Sequence, residues 1–178
     1  MGDLVALPTM SENGSIHVVI ESPRGSSVKI KYEPRLRAFK FSRPLVAGVF
    51  YPYDWGFIPS TVGADGDPLD AMVFSDLSTF PGVVIECRAL GVLRLEQNHK
   101  GSSRRERNDR LIFIPVKMPR FASFKTPKDL PVRWRQEMEN FFVATTRFEN
   151  KNVKFLGWAG PREGERMVRN CMNKSQTA

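Results

Sequence analysis

Three aspartates stand within the six residues Asp65-Gly66-Asp67-Pro68-Leu69-Asp70 of a chain whose formal net charge is +8. Carboxylates this close repel one another and raise each other's pKa unless cations compensate them. Their hard oxygens suit Mg²⁺ or Mn²⁺, which makes Asp65, Asp67 and Asp70 a candidate metal set for chemistry on a phosphate. The same residues also make good turn chemistry, because Gly tolerates positive φ and Asp caps turns. A surface turn therefore stands as the alternative. An EF-hand loop does not, since it needs an oxygen ligand at its fifth position and Gly at its sixth, where this chain has Leu69 and Asp70.

Strand-like segments flank the turn and must position it. His17-Val18-Val19-Ile20-Glu21 is short and β-branched, as strands are. Val28 to Glu33 alternates with period two: Val28, Ile30 and Tyr32 share one face, and Lys29, Lys31 and Glu33 the other. A second short strand is expected around Phe39-Lys40-Phe41. Val49 to Pro59 is dense in aromatics, and packing is the default reading for Phe50 and Phe57; Tyr51 and Trp55 also carry polar handles that can reach a ligand. Asp70 to Phe74 reads as a strand, Val83 to Leu95 as a bent strand or a pair, and Leu111 to Val116 as a central strand. Between them, Asn98 to Arg110 reads as a polar, basic loop. Asp129-Leu130-Pro131 opens a helix, with Asp as a favoured N-cap and Pro in the first turn. Its apolar stripe runs through Leu130, Trp134, Met138, Phe141, Phe142 and Thr145. Val153 to Trp158 gives a last strand and Pro161 to Asn170 a short second helix. Strands first and helices late point to a mainly β fold, a small β-barrel with helices packed on it.

Length and composition bound the rest. A chain of 178 residues suits one domain spanning 1–178, with residues 1–15 as an irregular N-terminal arm. No apolar run approaches the ~20 residues that span a bilayer, and the N-terminus lacks the features of a signal peptide or a myristoylation site. Two cysteines, Cys87 and Cys171, make neither a disulfide framework nor a metal-ligand spacing, so a reducing cytoplasm is the expected compartment. The 27 Lys and Arg exceed the 19 Asp and Glu, which invites a polyanion: a phosphate-bearing small molecule or a nucleic acid.

The stretch Phe50-Tyr51-Pro52 through Trp55-Gly56-Phe57-Ile58-Pro59, followed by Asp65-Gly66-Asp67-Pro68-Leu69-Asp70, resembles the soluble inorganic pyrophosphatases of the first family. Glu21 after Val-Val-Ile, the Lys31-Tyr32-Glu33 run, and Arg43 at its distance before Tyr51 extend the likeness from about Val18 to Trp158. The resemblance implies an OB-like five-stranded barrel with two helices, often assembled as a bacterial hexamer. It implies hydrolysis of inorganic diphosphate to two orthophosphates by metal-activated water, with Mg²⁺ or Mn²⁺ as cofactor. By that likeness Asp65, Asp67 and Asp70 are metal ligands, Asp67 also receives the proton of the attacking water, and Glu21 supports the site. Lys31, Glu33, Arg43 and Tyr51 would then contact substrate, Arg with its planar fork and Lys as a point charge.

Other family positions are altered. Trp55 stands where the family has Tyr, and Gln97, beside Glu96, where it has an acid. The family's Asp-x-Lys aligns with Asn108-Asp109-Arg110; Asp109 is the nearest replacement metal ligand, and Arg110 the substrate-binding cation. A late Tyr-Lys pair aligns with Thr145-Thr146, with Arg147 the nearest cation. Two further readings come from these losses: a catalytically weak or inactive homologue serving as an interaction subunit, and an OB-like barrel that binds nucleic acid through the basic loop. That loop carries no aromatic residue for stacking.

Overall fold

The computed structural model describes residues 2–99 and 102–175; Met1 of the expected arm and Lys100 of the expected basic loop lie outside them. Among the described residues, nine strands and two α-helices follow in chain order: β1 (Ile16–Ser22), β2 (Val28–Glu33), β3 (Ala38–Pro44), β4 (Asp54–Ile58), β5 (Leu69–Val73), β6 (Val84–Asn98), β7 (Arg105–Arg107), β8 (Arg110–Pro115), α1 (Val132–Thr146), β9 (Lys154–Ala159) and α2 (Pro161–Ser175).

The main sheet runs β1-β4-β5-β8-β6, and a further β1–β6 pairing closes these five strands into a ring. The closure is that of an OB-like barrel, as the resemblance implied. All its pairings are antiparallel except β5–β8. One long strand makes the closure possible. β6 pairs β1 through Val84 to Cys87, then β8, then β7 and β9 with its later residues. Its register with β8 slips between Ala89 and Gly91, a bulge that bends a strand. Gly91 is required there, because a Cβ would collide with Pro127 and with the Ala159 carbonyl oxygen. Beside the ring, β2 and β3 form a separate hairpin.

Successive residues of the ring strands feed two apolar clusters, as period-two alternation demands. Met72 and Phe74, Ile112 and Ile114, and Leu93 and Leu95 pack with Met138, Phe141 and Phe142 of α1. Ala71, Val73, Leu111, Phe113 and Val92 join Val168 and Met172 of α2. Gly164 brings α2 close to the sheet, where a Cβ would sit 3.6 Å from Ala89, Val92 and Leu111.

The structure changes several expectations. Phe50 is 54 % exposed rather than core, whereas Phe57 is buried. The basic loop is not all loop: Arg105 to Arg107 return as β7 against Glu96 to Asn98. Asp129 does not cap α1. Pro131 holds that position, and the Asp129 carboxylate closes the preceding turn by accepting the backbone N–H of Thr126 at 2.7 Å and Lys125 at 2.8 Å. Those bonds to the charged form hold its pKa below the usual range. The second helix reaches Ser175 rather than Asn170. Part of the arm is ordered too: Leu4 packs on Val19, Tyr32 and Phe57.

Candidate active site

The acidic turn leads directly into β5, so Asp70 sits in the ladder opposite Phe57 while Asp65 and Asp67 remain in the turn. Gly66 takes φ +85, a conformation L side chains resist, and the Asp65 Oδ1 accepts the Asp67 N–H at 3.2 Å. The turn reading therefore holds for these residues.

A pocket opens beside Asp70. Its cations are Lys29, Arg43, Arg110 and Lys151. Trp55, Phe141 and Phe142 form an aromatic wall, and Tyr51, Gln97, Thr145 and Thr146 add neutral polar groups. Among the described lining residues Asp70 is the one carboxylate. Its Oδ2 accepts from Arg110 Nη1 at 2.7 Å. The Arg110 guanidinium lies 5.4 Å from both the Trp55 and the Phe142 ring centroids. Cation–π attraction and aromatic packing thus fix the plane of a largely buried cation. The indole face of Trp55 supports the flat Arg110 guanidinium.

At the mouth, Lys31 Nζ donates to Asp67 Oδ2 at 3.0 Å. Both side chains are well exposed, so this pair adds little stability and leaves both groups available. Behind it, buried Glu21 accepts the Tyr32 backbone N–H through Oε1 at 2.7 Å. Burial raises the Glu21 pKa to about 7, outweighing that hydrogen bond, and Asp70 pushes the same way. Burial drives the Lys29 pKa down, opposed by Asp70, and pushes the Tyr51 phenol up to about 12, keeping it a proton donor at neutral pH. Across the mouth, Glu149 bridges Arg43 at 2.8 Å and Lys151 at 3.0 Å.

The fold thus gathers Asp70, Arg43, Tyr51 and Arg110 in one pocket, with Asp67, Lys31 and Asp65 beside it. Two expected residues fall elsewhere. Glu33 ends β2, where its Oε1 accepts the Arg35 N–H at 3.4 Å. Asp109 is held by Arg107 at 2.8 Å and by the Leu95 N–H at 3.1 Å, and does not line the pocket. Glu96 is likewise paired with Arg105. These pairs engage Arg105 and Arg107 of the basic loop. Lys29 and Lys151 were not picked out by motif. Alternation along β2 already set Lys29 on the face of Lys31, but nothing in the sequence placed Lys151 here.

The donor set also bears on a metal. Among the described residues no three of His, Cys, Asp or Glu converge to hold an ion. A Mg²⁺ ion in phosphate chemistry takes one or two carboxylates and completes its shell with phosphate oxygens and water. Asp65, Asp67 and Asp70 fit an ion shared with substrate in that way rather than one caged by protein.

Comparison with known proteins accounts for this arrangement. The sequence model described as inorganic pyrophosphatase matches residues 18–176. The chain is 38% identical over 156 residues to the inorganic pyrophosphatase of Synechocystis sp., covering 88% of this chain and 89% of that one. It is 37% identical over 176 residues to that of Thermus thermophilus, covering 97% of both. The crystal structure of inorganic pyrophosphatase from Thermus thermophilus superposes with a TM-score of 0.88 at 35% identity, covering 98% of this chain and 99% of that one. The inorganic pyrophosphatase of Helicobacter pylori gives 0.85 at 29% identity, covering 96% and 98%. Matched by that model over residues 18–176 and by relatives at 37–38% identity over most of its length, this chain belongs to the inorganic pyrophosphatase family.

Proposed function

We propose that the chain hydrolyses inorganic diphosphate to two orthophosphates with Mg²⁺ as its cofactor, Mn²⁺ being an alternative. The observation that carries the reading is the carboxylate turn Asp65 to Asp70 set against a pocket of guanidinium and ammonium groups. Diphosphate carries several negative charges that repel a nucleophile, and the site must neutralise them before water can attack.

Arg43 and Arg110 offer planar forks to phosphate oxygens, and the Tyr51 phenol donates a further hydrogen bond. Asp65 and Asp70, with substrate oxygens, would hold Mg²⁺, which supplies charge neutralisation and a lower pKa for water. Asp67 accepts the proton of the attacking water, and Lys31, 3.0 Å from its Oδ2, stabilises the carboxylate that does so. Glu21 lies behind these groups and orders the β1–β2 junction through Tyr32.

One domain, a cytoplasmic location and a homo-oligomer belong to the same reading. Support comes from the family match over residues 18–176 and from two cysteines outside any disulfide. No helix among the described residues is long and apolar enough to cross a membrane. Exposed Leu77, Phe80 and Phe148 offer apolar surface to a second copy.

Phosphate release from diphosphate tests the activity. Wild type with excess Mg²⁺ is expected to turn over, and Asp70→Asn to lose about 100-fold or more. No release by wild type, or equal release by the variant, overturns the reading.

A further inference from the structure

Lys29 has no role in the family likeness, yet the hairpin aims it at the pocket. It is the residue opposite Arg43 in the β2–β3 ladder, and both side chains line the pocket with Arg110. Residues directly opposite in an antiparallel pair have Cβ atoms about 4.5–5.5 Å apart, and like charges there are destabilising. The register slips between Lys29 and Ile30; such bulges re-aim side chains and concentrate near functional sites.

Counter-ions are distributed unevenly. Lys31 has Asp67, Arg43 and Lys151 share Glu149, and Arg110 has Asp70. Among the described residues Lys29 has no ion-pair partner, although it is half-buried. Arg110 Nε is buried without a hydrogen-bond partner as well, which is unfavourable when left unmet. Two under-satisfied cations in one pocket, one of them set against a third across a ladder, call for an anion between them.

We propose that Lys29 is a further diphosphate-binding residue, and that Lys29, Arg43 and Arg110 together hold the anion with no divalent ion present. The inference rests on the pocket being the phosphate site of the proposed hydrolase. Lys29 supplies a point charge that follows the phosphate, while the two guanidinium forks fix its orientation. Side-chain cations thereby take over neutralisation that a fuller set of carboxylates would delegate to metal.

Calorimetric titration of the full-length, chelator-treated protein with imidodiphosphate, whose bridging nitrogen resists hydrolysis, tests this. Wild type is expected to show saturable one-site binding. Lys29→Met should weaken it by about tenfold or more, and Lys29→Arg should stay within about threefold of wild type. The ligand-free Lys29→Met protein should unfold at or above the wild-type temperature, because a like-charge pair is relieved, while its stabilisation by imidodiphosphate shrinks. No saturable binding by chelated wild type, or unchanged affinity in Lys29→Met, overturns the inference. Hydrolysis with Mg²⁺ is measured on the same samples. Turnover without metal-free binding overturns only this inference, whereas metal-free binding without turnover supports it and overturns the proposed activity.

Discussion

One wall, on β1 to β5 and their loops, lines the pocket with Arg43, Tyr51 and Asp70 and carries Glu21, Lys31, Asp65 and Asp67 beside it. The other, built by β6, β8 and the end of α1, carries Gln97, Arg110, Thr145 and Thr146. The first wall gathers carboxylates, and its Asp67 and Asp70 pair with Lys31 and Arg110. The second presents no carboxylate to the pocket; its cations are Arg110, which is stacked between aromatic rings, and Lys151 just beyond α1. The difference teaches how the site divides its charge: carboxylates that can recruit metal on one side, and on the other fixed cations that can meet phosphate directly.

The sharpest way to break that contrast is to remove one carboxylate from each region. Asp67→Asn deletes the proton acceptor and is expected to lower kcat by about 100-fold or more. Asp109→Asn removes a group tied to Arg107 and to the Leu95 N–H and should leave phosphate release within about threefold of wild type. If the two variants lose activity equally, Asp109 serves the chemistry and the two regions are not distinct.

Much of the first wall was legible because it is local. The Asp65 to Asp70 turn and the Tyr51 to Pro59 run are contiguous in sequence, and alternation put Lys29 and Lys31 on one strand face. The ring was readable for a similar reason, since strands of strong β pattern precede late helices. The second wall was not, because its contacts are long-range. Trp55, Phe142 and Arg110 meet only through the fold, and so do Arg43, Glu149 and Lys151. The slip that re-aims Lys29 leaves no mark in composition or period. Asp109 looked available because proximity in sequence to a missing acid says nothing about direction. Phe50 looked buried because aromatic density does not reveal which ring the chain turns outward.

The carboxylate wall carries an electrostatic burden that pH can expose. Glu21 titrates near 4.5 when unfolded and about 7 when folded, chiefly through burial. Between these values the folded chain binds a proton that the unfolded chain has released, so stability falls as pH rises and the full penalty stands above about pH 7. Glu21→Gln keeps an oxygen for the Tyr32 N–H and removes the charge. In chelator, urea unfolding should show the variant gaining about 2 kcal/mol on wild type between about pH 5 and pH 8. An unchanged difference between the two proteins would mean that the carboxylate bears no burial penalty.

Adding an acid to the second wall gives a smaller effect and a finer test. Gln97 is buried, lines the pocket with Asp70, and donates through Nε2 to Glu106 Oε1 at 3.2 Å. Replacement by Asp alone would set a carboxylate against Glu106, so Gln97→Asp is paired with Glu106→Gln. The added charge lies on the side where the chain now presents only an amide. Mn²⁺ binding without diphosphate, followed by the resonance of the free ion, should tighten about tenfold in the double variant. Metal-free binding of imidodiphosphate should weaken at the same time, because the double variant keeps its net charge but moves a carboxylate from position 106 into the pocket lining. Gain in one affinity with loss in the other would show that a single charge sets how the two walls share neutralisation between metal and side chains. If Mn²⁺ affinity stays at the wild-type value, the amide at position 97 is not what limits metal binding, and the contrast must be traced to Arg110 occupying Asp70.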